Sequence, residues 1–405
     1  MTNAIIIFII FSIKEKESRI VDNKKLLLVE YQKGKKNKNV KIENHIAKMV
    51  INDSYLGPDT LNKIIYGVKF IHNNYGTRIP IQFCFNNIEI RDKLSYLIFE
   101  CICNSLISDY KQKVAIKIKY VSFNIISNGF KSSALHLLVN SGYKYNGEFV
   151  KEFNSHIFKT HYRKIIPYSE SNNEQLNQIM SDICAFQNNL GIDYKCVDKI
   201  SEVVVELIGN SLEHTKSDCL VDIDVSPCKQ KTARGENVCG INITVINYSD
   251  ILLGDKVKSK IKEIEQSKNK LNERYEKLLS AFEFHKNNYT FNYDEIDFFN
   301  IASFQHKISG RLHKYDTGGT GLTLLIKSIE EQAEEHSCYV FTGDRILYLD
   351  PKYLTYDEDE WLGFNERNDL FNQLPDKQAM ERSSFFFPGT AYNLTFIMRV
   401  NSNEN

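Results

Sequence analysis

Apolar residues recur along this chain with two periods, and the switches between them mark its elements. Ile64, Ile65, Val68 and Ile71 share one face of a 3.6-residue repeat and predict a helix over 61–75, followed by a short strand over 79–85. Leu94, Leu97, Ile98, Cys101 and Ile102 predict a second helix over 92–110. Residues 114–121 alternate as a strand, and 132–140 read as helical again. Helix and strand in alternation predict a small α/β module over residues 41–165.

Pro167 and the polar stretch 168–174 then read as a linker. Leu176, Ile179, Met180 and Ile183 predict a helix over 175–189, stopped at Gly191, and a second helix follows over 197–215. Strands are expected at 220–225 and 240–246. Residues 255–284 are charged and helix-prone, with Ile261, Ile264, Leu271, Tyr275 and Leu278 near helical spacing. Residues 285–315 are mixed and partly aromatic. A helix is expected from 321 to 335, strands at 338–342 and 346–349, an acidic loop-like excursion over 356–381, and a last strand over 391–400. The pattern predicts a second, larger α/β unit over 170–400, without an internal repeat.

Composition narrows the function classes. The 405 residues suffice for two or three domains. The 51 basic and 51 acidic residues cancel, which gives no global electrostatic case for nucleic acid or an anionic membrane. Nine cysteines, none in a C-x2-C pair, read as buried thiols in a reducing compartment rather than metal ligands or disulfides. The apolar run 4–13 is too short to span a bilayer and lacks the flanks of a signal peptide, so it reads as a buried strand or an extension. Residues 1–40 form an N-terminal extension, and the six lysines between 22 and 39 suggest a solvated loop or hairpin. A cytoplasmic location is the expectation.

Two segments carry candidate chemistry. In Glu206-Leu-Ile-Gly-Asn210-Ser-Leu-Glu-His214, positions 206, 210 and 214 share one helical face. Val203, Val204, Leu207 and Ile208 would bury much of that helix, and a buried Glu and Asn need partners. Asn210 offers a neutral oxygen to Mg2+, and Glu206 could orient or deprotonate a nucleophile. The plainer alternative, that both bond neighbouring strands, stays open. The second segment, Asp316-Thr-Gly318-Gly319-Thr320-Gly321-Leu322, is a glycine-rich loop opening a helix, where backbone N–H groups can approach phosphates. Arg311 and Lys314 precede it, in reach of a γ-phosphate or in solvent.

In this order the pieces resemble the GHKL nucleotide-binding family of gyrase-type topoisomerases, heat-shock chaperones, sensor histidine kinases and mismatch-repair ATPases. Glu206-x3-Asn210 is similar to its N box in the anti-sigma kinase version, Gly319-Thr320-Gly321-Leu322 to its G2 box, and Gly389-Thr390 to its final Gly-Thr. The resemblance spans about 175–400 and implies a two-layer α/β sandwich with a mixed sheet, binding ATP and Mg2+. Glu206 would activate water, Asn210 would hold Mg2+, Asn247 and Thr390 would face adenine, and Gly318 to Gly321 would cradle phosphates. His214, Arg311, Lys314 and Leu322 are carried over as further nucleotide-contacting positions.

One position departs from the family. Asn247 stands where the G1 box has an adenine-binding Asp, and the following glycines are missing; Asp250 would substitute if the register slipped. The long segment 251–317 between the boxes is expected to be a lid, a partner-binding insert or a packed insertion. No sensor-kinase phosphorylation helix or transducer domain is evident. Recognition of a protein partner, with homodimerisation left open, would fall to the insert or to the N-terminal module. In that module Asn86-Asn87-Ile88 after a strand weakly resembles STAS domains. ATP hydrolysis, phosphotransfer to a protein Ser or His, and a non-catalytic signalling scaffold with a degenerate site are the three functions compatible with the pattern.

Overall fold

The protein is described by a computed structural model covering residues 23–27, 37–123, 128–158, 160–170, 173–190, 192, 194–226, 230–231, 237–266, 273–306, 308 and 335–399. The expected strand at 4–13 and most of the lysine-rich stretch lie outside these residues. The chain is α/β, with two sheets among the described residues.

The first sheet has five strands: β1 (Val40–Glu43), β2 (Ile46–Ile51), β3 (Tyr55–Leu56), β4 (Ile81–Ile90) and β5 (Val114–Phe123). β1 and β2 form a hairpin whose two turn residues, Asn44 and His45, sit at φ 49° and 60°. These angles match the tight turns that follow strand twist. β2, β3 and β5 all run parallel to the central β4. Helix α1 (Pro58–Tyr75) opens on a proline whose missing N–H is harmless at the first turn. Helix α2 (Lys93–Ser108) is capped by Asp92, which accepts from the Ser95 N–H at 2.8 Å. Residues 132–140, expected to be helical, form only short 3-10 turns (Asn128–Ser132, Ala134–Leu137) before helix α3 (Asn146–Asn154).

The second sheet has eight strands: β6 (Ser155–Phe158), β7 (His161–Ile166), β8 (Cys219–Val225), β9 (Gln230–Lys231), β10 (Asn237–Tyr248), β11 (Glu335–His336), β12 (Tyr339–Tyr348) and β13 (Met380–Arg399). A mixed sheet was expected here; among the described residues every pairing is antiparallel. The chain joins this sheet at residue 155, ahead of the polar 168–174 stretch. Helices α4 (Asn173–Asn188) and α5 (Tyr194–Thr215) cover one face, packing Ile179, Ile183, Val204 and Leu207 against Val221, Ile243 and Leu394. The other face is covered too: α1 and α2 touch both sheets and share a core with Leu220, Ile246, Phe341 and Phe387. Both faces of the larger sheet are therefore dry.

The insert is part of that core. The helix-prone stretch 255–284 holds α6 (Asp255–Gln266) and α7 (Glu273–Asn287), and α8 (Glu295–Ala302) follows. Ile261, Leu278, Phe282 and Phe298 are buried against the same cluster as α4 and α5. The expected loop 356–381 is likewise structural: Trp361, Leu362, Phe364 and Leu370 are fully buried. Trp361 stacks under the Arg274 guanidinium 4.0 Å from its ring centre, and Arg274 donates to the Asp359 and Glu360 carbonyls. No described helix is long and apolar enough to cross a membrane.

A carboxylate cluster ties the insert to the sheet. Asp294 and Asp297 cap α8 reciprocally, and Arg345 of β12 reaches both, at 2.8 and 2.9 Å. Burial raises the Asp297 carboxyl from the ordinary 3.8 to about 6. A folded pKa above the unfolded one means the folded state takes up the extra proton, so stability rises as pH falls from about 6 towards 3.8. Asp297→Asn should abolish this gain. Denaturation midpoints at pH 7.5 and 5 should show the wild type gaining on the variant at the lower pH; a constant difference would refute the assignment.

Candidate functional site

Helix α5 forms because its apolar positions repeat at helical spacing, and Val204, Leu207, Ile208 and Leu212 are buried against the sheet. Glu206 and Asn210 lie one turn apart, half-buried at the border between that stripe and the exposed Glu202 and Glu213. Neither is fully buried, so the cost of burying them without partners is smaller than the sequence suggested. The side chain of His214 lies outside the described residues, as do Arg311, Lys314, Gly318, Gly319, Thr320, Gly321 and Leu322.

The other two expected positions meet. Asn247 of β10 pairs directly across the ladder with Thr390 of β13, and on its other side with Cys219 of β8. Directly opposed residues share a face, and by alternation with Val245 and Tyr392 this is the face that α5 covers. Asn247 is 1% exposed and Thr390 5%. Asp250 lies beyond the strand end, exposed and paired with Lys25 at 3.0 Å, while the ladder register holds Asn247 inward.

A hydrogen-bonded chain joins the strand to the helix end. Asn247 Nδ2 donates to Thr215 Oγ1 at 2.9 Å. Thr215 donates to the Ser211 carbonyl at 2.6 Å, and its hydroxyl lies 2.6 Å from Ser217 Oγ. Thr390 Oγ1 lies 3.2 Å from Thr342 Oγ1, which also accepts from the Leu253 N–H at the start of the insert. Thr215 further lines an open recess of about 390 Å3 with Lys216, Ser217, Tyr248, Ser249 and Asp250. No set of three His, Cys, Asp or Glu among the described residues could hold a metal. A Mg2+ ion here would depend on Asn210, waters and ligand phosphates.

Sequence reasoning missed a second polar constellation, on the opposite face of the same sheet. Lys93 of α2 bonds both Asp222 and Asp224 of β8, and all three are buried. Arg163 of β7 holds Glu100 of α2 in a bidentate pair at 2.9 and 2.8 Å and also bonds Asp222. His161 Nε2 lies 2.9 Å from Asp222, and Asp224 accepts from Tyr96 at 3.1 Å and Asn242 at 2.9 Å. Burial would raise the Asp222 carboxyl, but Arg163, His161 and Lys93 outweigh it and hold it well below the usual carboxylate range. Burial would likewise lower the Lys93 ammonium, and the two aspartates more than reverse this. The cluster clamps the N-terminal module to the sheet. Its only sequence signal is the Asp-x-Asp alternation in β8, which is also the pattern of a strand with one wet face.

No protein-family model matches the chain, and neither the curated proteins nor the solved structures contain a significant match.

Proposed function

We propose that the C-terminal unit is a Mg-nucleotide site of the GHKL type that hydrolyses ATP, with the N-terminal module as its regulatory partner. The observation that carries this reading is the Asn247–Thr390 cross-strand pair, on the sheet face under α5 and bonded to the helix just beyond Asn210. The resemblance expects those residues at the base end of a nucleotide, and a recess of about 390 Å3 lined by Thr215, the hydrogen-bond partner of Asn247, gives a ligand room at that end of the helix. Bound Mg2+ would neutralise phosphate charge. Asn210 would give it a carboxamide oxygen, and Glu206 would take the proton of the attacking water.

One observation favours a non-catalytic scaffold instead: Asn247 replaces an acid and is almost fully enclosed. Calorimetry with ATP, with and without Mg2+, separates the two. Mg-dependent binding is expected for wild type, with Glu206→Ala binding normally but turning over about 100-fold or more slower, and Asn210→Ala losing the Mg2+ dependence. Absence of binding at about 1 mM ATP would sink the ATPase reading. Label transferred to a protein rather than released as phosphate would redirect it to a kinase.

A further inference from the structure

We infer that Thr215 sets the nucleobase preference of this site by fixing which end of the Asn247 carboxamide faces the ligand; this rests on the nucleotide reading above. An aspartate in this position has two equivalent acceptor oxygens. An asparagine has one acceptor and one donor end, and the two selections they make are opposite. With the oxygen outward, Asn247 accepts from an exocyclic amino group such as that of adenine. With the nitrogen outward, it donates to the carbonyl of guanine or hypoxanthine.

The hydrogen-bond arithmetic at Thr215 decides between them. Its hydroxyl has one proton and two lone pairs. The Ser211 carbonyl, 2.6 Å away, can only accept, so the proton goes there. Ser217 Oγ, 2.6 Å away, must then donate into one lone pair, and Asn247, at 2.9 Å, must donate into the other. No proton remains on Thr215 for an Asn247 oxygen turned towards it. The carboxamide nitrogen is held on the helix end, and the carbonyl oxygen, which bonds no other described residue, is the end left for a base. The orientation follows from the valence of the hydroxyl and not from the similar shapes of N and O. Ser211 and Ser217 sit on the last turn of α5 and just past it, so the helix end supplies the whole device.

Thr215 is a positioning residue and touches no reacting atom. Calorimetry of the full chain with ATP, GTP and inosine triphosphate, the last carrying a carbonyl in place of the adenine amino group, tests the inference. Wild type should prefer ATP over inosine triphosphate by about tenfold or more. Thr215→Val frees the amide to turn and should erase most of that preference. Thr215→Ser restores the hydroxyl and should keep it. In the double variant Thr215→Val with Asn247→Asp both ends accept, and the ATP preference should return; a general packing defect would not be rescued this way. An unchanged preference in Thr215→Val overturns the inference and leaves the nucleotide site standing. Equal wild-type affinity for ATP and inosine triphosphate overturns it without any variant, which covers the case in which Thr215→Val does not fold. Failure of wild type to bind any of the three overturns both the inference and the reading beneath it.

Discussion

Lys93→Met should destabilise the protein by about 3–5 kcal/mol, the range for breaking a buried ion pair by removing one partner. Lys93 lies between Asp222 and Asp224, both buried, and bonds each of them. Methionine fills much of the same volume but leaves two carboxylates facing a thioether. Tyr96 and Asn242 still donate to Asp224, and Arg163 and His161 still face Asp222, so the second aspartate keeps the stronger compensation. The pH dependence should move with the loss. A carboxyl held below its unfolded pKa stabilises the fold above that unfolded value and loses its contribution as pH falls through the folded one. Without Lys93 the Asp222 carboxyl is held down less, so acid unfolding should begin at a higher pH. Urea denaturation at pH 7 and an acid titration of both proteins measure the two effects. A loss below about 1 kcal/mol would mean that water reaches the cluster and screens it as it screens surface pairs. Lys93→Met with Asp224→Asn should recover part of the loss, since neighbouring sites are not additive.

This cluster marks where the sequence stopped being legible. Helices α1, α2, α4 and α5 and strands β8 and β10 could be read from apolar period alone, because each buries a stripe that the period displays. The back of the larger sheet could not. Asp222, Asp224, Asn242, Thr244, Asn393 and Thr395 alternate with apolar residues as they would on a wet face, yet all are buried under the N-terminal module. What makes the burial of Asp222 and Asp224 tolerable is Lys93 and Tyr96 from a helix more than a hundred residues earlier, a long-range pairing that no local window contains. The packing of the insert, one of the readings the sequence left open, was hidden for a related reason. Its helices are charged outside and held by scattered aromatics such as Tyr275, Phe282 and Phe298, which share one core with the Trp361 segment; Phe282 of α7 meets Phe298 of α8. At the candidate site, the family resemblance suggested Asn247 and Thr390. Their pairing depends on ladder register, and the role of Thr215 on a hydrogen-bond count that only three dimensions supply.

Gly389→Ala should be the most damaging change at the site, destabilising the protein by about 3 kcal/mol or more and spoiling nucleotide binding with it. Gly389 sits at φ 139°, a region that L side chains rarely adopt. A Cβ there would lie 2.0 Å from the Asn247 carbonyl oxygen and 3.0 Å from the Ser249 nitrogen. Both obstacles are backbone, so no rotamer change relieves them, and the strands must separate. The neighbouring ladder pairs are Tyr248 with Gly389 and Asn247 with Thr390, so the damage falls on the pair that defines the site. Gly343→Ala is the control. Its φ of 59° also disfavours a side chain, but the closest obstacle is the tip of Leu252 at 2.9 Å, which can move. That variant should lose only the conformational term, about 1–2 kcal/mol. If the two substitutions cost the same, β13 does not approach β10 this closely, and the proposed contact between Asn247 and a base loses its footing. If Gly389→Ala alone collapses stability while Gly343→Ala keeps ATP binding, the close approach of the two strands is what holds the Asn247–Thr390 pair in place.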